Sequence, residues 1–216
     1  MSYFRYIDNG KGPVKLFIGG LHGNEGFTSL KFIKKINEDD LSPGQFYFYN
    51  FDKNKYISTI KKEYYKSEVG LKVLDLIKYF RPDFYTELHC YNLKNYDKLT
   101  SMERYKKTGI PPLIKLGNHV LVSSVSPLIR MTYFSTETVC KTLEFPCFEK
   151  LTPEIIEEYN FNMDLAVETY MELFKLILKS PSREYFENEM IKKHNAQVKL
   201  AMKYAKKVFG DDFPPY

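Results

Sequence analysis

Hydrophobic positions along this chain switch repeatedly between a two-residue alternation and helical spacing. Tyr3–Ile7 and Val14–Ile18 read as strands, and Asn9-Gly10 between them is a preferred hairpin turn because both positions tolerate positive φ. The two strands are therefore expected to pair. Leu30, Ile33 and Ile36 mark a first helix, Ser42-Pro43-Gly44 a turn, and Phe46–Asn50 a third strand. Residues 53–66 lack a period and read as a loop. Val69, Val73, Leu74, Ile77 and Phe80 place an amphipathic helix over 67–80, which Arg81-Pro82-Asp83 ends before a strand at Phe84–His89. A polar excursion runs to Pro112. It is followed by a strand near His119–Val122, a short helix opened by Pro127 and a strand at Val139–Phe145. Two long helices, 153–178 and 183–209, close the chain.

Strands alternating with helices of this length predict an α/β fold: a mixed, largely parallel central sheet with helices on both faces, plus C-terminal helices. At 216 residues the chain fits one domain, with a body over 1–150 and a helical extension over 151–216 packed on it. The ligand of such a sheet belongs at the carboxyl ends of its strands.

The unusual residues fall at those ends. Gly19-Gly20-Leu21-His22-Gly23-Asn24-Glu25-Gly26 sets an imidazole and a carboxylate three residues apart where a strand hands over to a helix. Nitrogen and oxygen donors converging from a stiff turn suit zinc. A nucleotide-binding turn is excluded, because Leu21 breaks the dinucleotide fingerprint and no Gly-Lys-Ser/Thr follows; a purely structural turn is the remaining alternative. Glu87 and His89 alternate on one face of a strand end, so the acid can support the imidazole as a ligand. Glu144 stands in an otherwise apolar strand, where burial is expected to raise its pKa toward that of a general base.

In this order the pieces resemble the zinc carboxypeptidase superfamily, and most nearly its aspartoacylase and succinylglutamate desuccinylase deacylases. A fainter resemblance is to an uncharacterised archaeal, largely methanogen family related to them. The resemblance spans about residues 14–146. It implies one zinc ion per chain held by His22, Glu25 and His89, with Glu144 as general base and acid. Asn24 and Glu87 then support the ligands, and the substrate is a small acylated amino acid or a peptide. The deacylases carry an Asn-Arg pair and a further arginine between the second and third ligands, whereas here Arg81 is the only arginine in that interval. Five lysines and one acid occupy residues 53–66 instead. That loop is either simply solvated or, through Lys61 and Lys62 with Arg130, receives an acidic substrate; lysine attracts an anion but lacks arginine's planar two-pronged grip.

Charge and composition narrow the field further. A net charge of +5 without a recognised binding motif gives no reason to expect a nucleic-acid partner. No apolar run approaches the ~18 residues of a membrane span. The first five residues, Met1 to Arg5, begin a strand pattern without a secretory core, so a cytoplasmic chain is expected. Three cysteines, Cys90, Cys140 and Cys147, odd in number and widely spaced, argue against an extracellular disulfide framework. His119 is read as a core or cleft-lining histidine. The stripe Met190, Val198, Ala201 and Ala205 is expected to pack on the body or on a second copy in a homo-oligomer. The rival readings are a metal-binding protein that has lost catalysis and a partner-binding scaffold on the same fold.

Overall fold

The computed structural model describes residues 3–210; Met1 and Ser2, where the strand pattern was read to begin, lie outside the described residues. Seven strands form one sheet: β1 (Tyr3–Asp8), β2 (Val14–Gly19), β3 (Gln45–Asn50), β4 (Phe84–Tyr91), β5 (Ile114–Gly117), β6 (Val120–Ser123) and β7 (Val139–Pro146). Their order is β1-β3-β2-β4-β7-β6-β5. The helices are α1 (Gly26–Ile33), α2 (Glu68–Phe80), α3 (Tyr96–Thr100), α4 (Glu103–Thr108), α5 (Pro127–Tyr133), α6 (Pro153–Glu158), α7 (Met163–Lys179) and α8 (Arg183–Phe209). β3, β2, β4 and β7 run parallel at the centre, and antiparallel strands finish both edges. The mixed α/β architecture expected from the alternation of patterns is the one observed.

Two apolar layers sandwich the sheet. One gathers Phe32 and Ile33 of α1, Phe174 and Ile177 of α7 and Phe186 of α8 against Phe17, Phe48, Phe84 and Phe145. The other sets Val73 and Ile77 of α2 and Ile129 of α5 against Leu16, Ile18, Tyr85 and Cys140. The terminal helices thus share the body's own core.

The crossovers place the crevice. From β2 the chain passes through α1 to β3 on one side. From β3 it passes through α2, on the opposite face, to β4 on the other side of β2. The strand order reverses between β2 and β4, where open α/β sheets bind ligands.

Four local expectations are corrected. β1 pairs with β3, not β2. Asn9 spends its main chain on Gly44, with N–H donated at 2.9 Å and its carbonyl accepting at 3.3 Å, so residues 9–13 pass beside the 42–44 turn instead of closing a hairpin. The expected 153–178 helix is broken between α6 and α7, where Asn160 takes φ +46° and the Asn162 side chain caps α7 by accepting from Leu165 N–H. α8 kinks at His194 (φ −134°, ψ 42°). Cys90 and Cys147 form a disulfide across the ends of β4 and β7, against the reading from cysteine spacing, while Cys140 is buried and free. The strand near His119 also has an unforeseen partner in β5. Asn118 (φ +45°) and His119 (φ +60°) make the two-residue turn between β5 and β6, and His119 packs against the Tyr96 and Phe161 rings.

Candidate metal centre

Sharp backbone geometry delivers the first two side chains. After β2 the chain turns through Gly20 (φ +70°), where a Cβ would lie 2.1 Å from the Phe51 carbonyl oxygen, and Gly23 (φ +62°). Only glycine fits the first of these positions, since both its φ and its close approach exclude a side chain. Asn54 clamps the turn: its side-chain amide donates to the Gly20 carbonyl at 2.7 Å and its main-chain N–H to the Gly23 carbonyl at 3.0 Å. His22 and Glu25 are thereby held beside the end of β4, which carries His89.

The three donors meet. Nδ1 of His22 lies 3.3 Å and Nδ1 of His89 3.2 Å from the Glu25 carboxylate, with all three residues buried. Two tetrahedral ligands of one zinc ion at the usual ~2.0–2.1 Å stand about 3.3 Å apart, so this spacing suits a shared cation. His22 Nδ1 is out of line for a hydrogen bond to Glu25 and has no hydrogen-bond partner, a buried nitrogen with an unused lone pair or proton. The Glu25 carboxylate accepts from the His22 and Cys90 main-chain N–H groups at 3.3 and 3.4 Å, which fixes its direction. The donor set therefore fits zinc.

Glu87 does what its alternation with His89 implies. Its Oε2 lies 3.1 Å from Nε2 of His89, its other oxygen accepts from the Tyr85 hydroxyl at 3.0 Å, and it is 1 % exposed. A carboxylate on Nε2 frees Nδ1 to face Glu25. Burial pulls the His89 pKa down, but the Glu25 carboxylate and hydrogen bonds to Glu25 and Glu87 outweigh it and hold His89 well above the ordinary imidazole value. For His22 burial wins, and its pKa is lowered. Asn24 lines the cleft, and its main-chain carbonyl accepts from Phe27 N–H at 3.1 Å. No side-chain hydrogen bond of Asn24 appears among the described residues; the two amides orient Glu25 instead.

Glu144 sits directly opposite His89 in the β4–β7 register. Burial outweighs the pull of His89 and Arg104 and, with smaller contributions from Glu25 and Glu87, pushes its carboxyl up to about 7. Both Glu144 and the three donors line one cleft of about 640 Å³.

The basic residues proposed for substrate are placed elsewhere. Lys61 and Lys62 are exposed and do not line the cleft, whose edge takes Lys53, Asn54, Tyr56 and Ser58 from that loop. Arg130 is fully buried and donates to the carbonyls of Ser135, Thr136 and Thr138, where it ties down the segment leading into β7. Arg104 of α4 was missed. It lines the cleft, interacts electrostatically with Glu144, and keeps a buried Nη1 without a hydrogen-bond partner. The available signal was scarcity: the chain has five arginines, and Arg104 falls between the third donor and Glu144. Tyr56, whose ring stands edge-on to His22 at 4.8 Å, was missed as well.

Fold and site together define an α/β protein with a buried His-Glu-His cluster at the carboxyl ends of its parallel strands. The chain belongs to a family described as an uncharacterised protein conserved in archaea (DUF2119), whose model matches residues 10–210. It is similar to an uncharacterised protein of Methanocaldococcus jannaschii, with 42 % identity over 154 residues that cover 69 % of this chain and 73 % of the relative. No solved structure matches. Among the described residues no helix is long and apolar enough to cross a membrane.

Proposed function

We propose that this chain is a zinc-dependent hydrolase of an amide or peptide bond, working as a deacylase or carboxypeptidase-like enzyme on a small acylated amino acid or peptide. The observation that carries the reading is the convergence of His22, Glu25 and His89, each imidazole Nδ1 3.2–3.3 Å from the Glu25 carboxylate and all three donor atoms within 4.8 Å of one another, with Glu144 opposite His89. A zinc ion bound there supplies a Lewis acid for the carbonyl and a water of pKa about 7. Glu144 takes the proton of the attacking water and passes it to the leaving nitrogen, a task matched by a carboxyl whose pKa lies near 7. Glu87 keeps Nε2 of His89 occupied so that Nδ1 stays turned toward Glu25. Arg104 offers its unpartnered guanidinium N–H to an anionic oxygen of the substrate, in place of the Asn-Arg pair that the resembled deacylases carry.

A panel of acylated amino acids and short peptides, assayed with protein purified without chelator, tests this. Turnover on at least one member is expected, and Glu144→Gln should lower it by about 10²–10⁴-fold with zinc still bound. A protein that holds one zinc per chain and hydrolyses nothing on the panel is the non-catalytic rival. Turnover that survives Glu144→Gln removes the assigned base.

A further inference from the structure

α8 bears on what the cleft accepts. Beyond its kink at His194 the helix sets Val198, Ala201, Ala205 and Val208 at successive spacings of three, four and three residues, and all four line the cleft that holds Glu25 and Glu144. Residues at that spacing share one helix face. Two of the four are alanines, which leave space where larger side chains would fill it. Leu99 and Ile110 line the same cleft. The stripe read from the sequence as a packing surface does pack on the body, with Met190 and Val198 in its core and Ala201 against it, and its second half is also an apolar wall of the cavity continuous with the site. Counting about 30 Å³ for each water-sized unit, about 640 Å³ admits on the order of twenty non-hydrogen atoms, more than a short acyl amino acid contains. The lining thus combines charged groups, Glu144 and Arg104 among them, with the apolar face of α8, the combination expected for an amphiphilic ligand.

We propose that the substrate of this site carries, on one side of the scissile bond, an extended apolar group of medium-chain alkyl or aryl-alkyl size, seated along the Val198–Val208 face of α8. The inference rests on the hydrolase reading for its scissile bond, but its test does not need turnover. Calorimetric titration of the full-length protein with straight-chain carboxylates from acetate to dodecanoate reads the cleft directly. Affinity should rise about three- to fourfold per methylene until the wall is covered. Ala201→Trp and Ala205→Trp, at partly exposed positions, should flatten that rise beyond butyrate and leave acetate and butyrate within twofold of the unaltered chain. Circular dichroism melts and zinc content check that each variant is folded, and Ala205→Glu serves if a tryptophan is not tolerated. A flat series, or a slope that survives these substitutions, overturns the proposal. A chain-length slope without hydrolysis of any panel member, medium-chain alkyl and aryl-alkyl acyl members included, overturns the hydrolase reading alone, and turnover of short acyl compounds with a flat series overturns this inference alone.

Discussion

Strand β2 has a buried charge at one end and a buried cluster just past the other, and the two are built differently. Lys15, fully buried, points its ammonium at the carbonyls of Ile177, Leu178 and Ser180 at 2.8, 2.8 and 2.6 Å and at the Ser42 hydroxyl at 3.1 Å. The rings of Phe46 and Phe84 flank it. Ile177 and Leu178 lie in the last turn of α7 and Ser180 caps it, at the negative end of its dipole. Every hydrogen the ammonium carries has an acceptor, although burial still pulls its pKa down to about 7. At the carboxyl end, His22 Nδ1 and Arg104 Nη1 are buried with no hydrogen-bond partner, and two imidazoles and a carboxylate crowd one another. A buried polar network completed by the chain itself is architecture. One left incomplete by the chain, in a cleft, is where a ligand belongs.

The contrast breaks most sharply at the three donors. His22→Ala, Glu25→Ala or His89→Ala should each take zinc in protein purified without chelator from about one per chain to near none, read by elemental analysis. Full zinc occupancy in Glu25→Ala would move the metal elsewhere. Lys15→Met is the matching test at the other end. It takes a donor from the carbonyls of Ile177, Leu178 and Ser180, of which Leu178 keeps the Ser42 N–H, and should lower stability to chemical denaturation by about 3 kcal/mol, with zinc per folded chain unchanged. If Lys15→Met instead removes zinc and leaves stability alone, the two ends have been assigned the wrong way round. Glu87→Gln sharpens the picture further. The amide still reaches Nε2 of His89 but loses its charge, so zinc affinity should fall about 10–100-fold in a competitive chelator titration, short of the loss at a donor itself.

What the sequence disclosed follows the range of the interactions. The His22–Glu25 turn was legible because its glycines, its donors and its strand-to-helix handover lie within eight residues. Glu87 and His89 were legible because strand alternation is local. Lys15 read as an ordinary strand residue, since its carbonyl acceptors lie more than 160 positions along the chain. β1 was assigned the nearest partner when a strand more distant in sequence took its hydrogen bonds. Arg104 is brought to the cleft by α4, within a polar stretch whose pattern says nothing of where it folds back. Asn160, which ends the first of the supposed long helices in a left-handed conformation, sat among residues that could equally have continued it.

The smallest expected effect is a pH dependence, and its sign separates the two ends once more. In metal-free protein Glu144 is raised from its ordinary carboxyl value to about 7, first by burial and then by Glu25 and Glu87. The folded state therefore binds this proton more tightly than the unfolded chain does. Its contribution to stability is fully present below pH 4.5 and is lost as pH rises through about 7. Glu144→Gln removes the titration. The variant should thus gain on the unaltered chain between pH 5 and pH 8, by on the order of 1 kcal/mol after allowance for solvent at its half-buried carboxyl. That corresponds to roughly 2–4 °C in a thermal melt of a chain this size. Saturating zinc should shrink the gain, because a cation beside Glu25 favours the ionised Glu144 that burial disfavours. Lys15→Met, remote from the cluster, should leave this zinc dependence as it is. Melts of the unaltered chain and Glu144→Gln at both pH values, with and without zinc, measure it; a gain that is the same at pH 5 and pH 8 would mean that Glu144 ionises in the fold as it does in water.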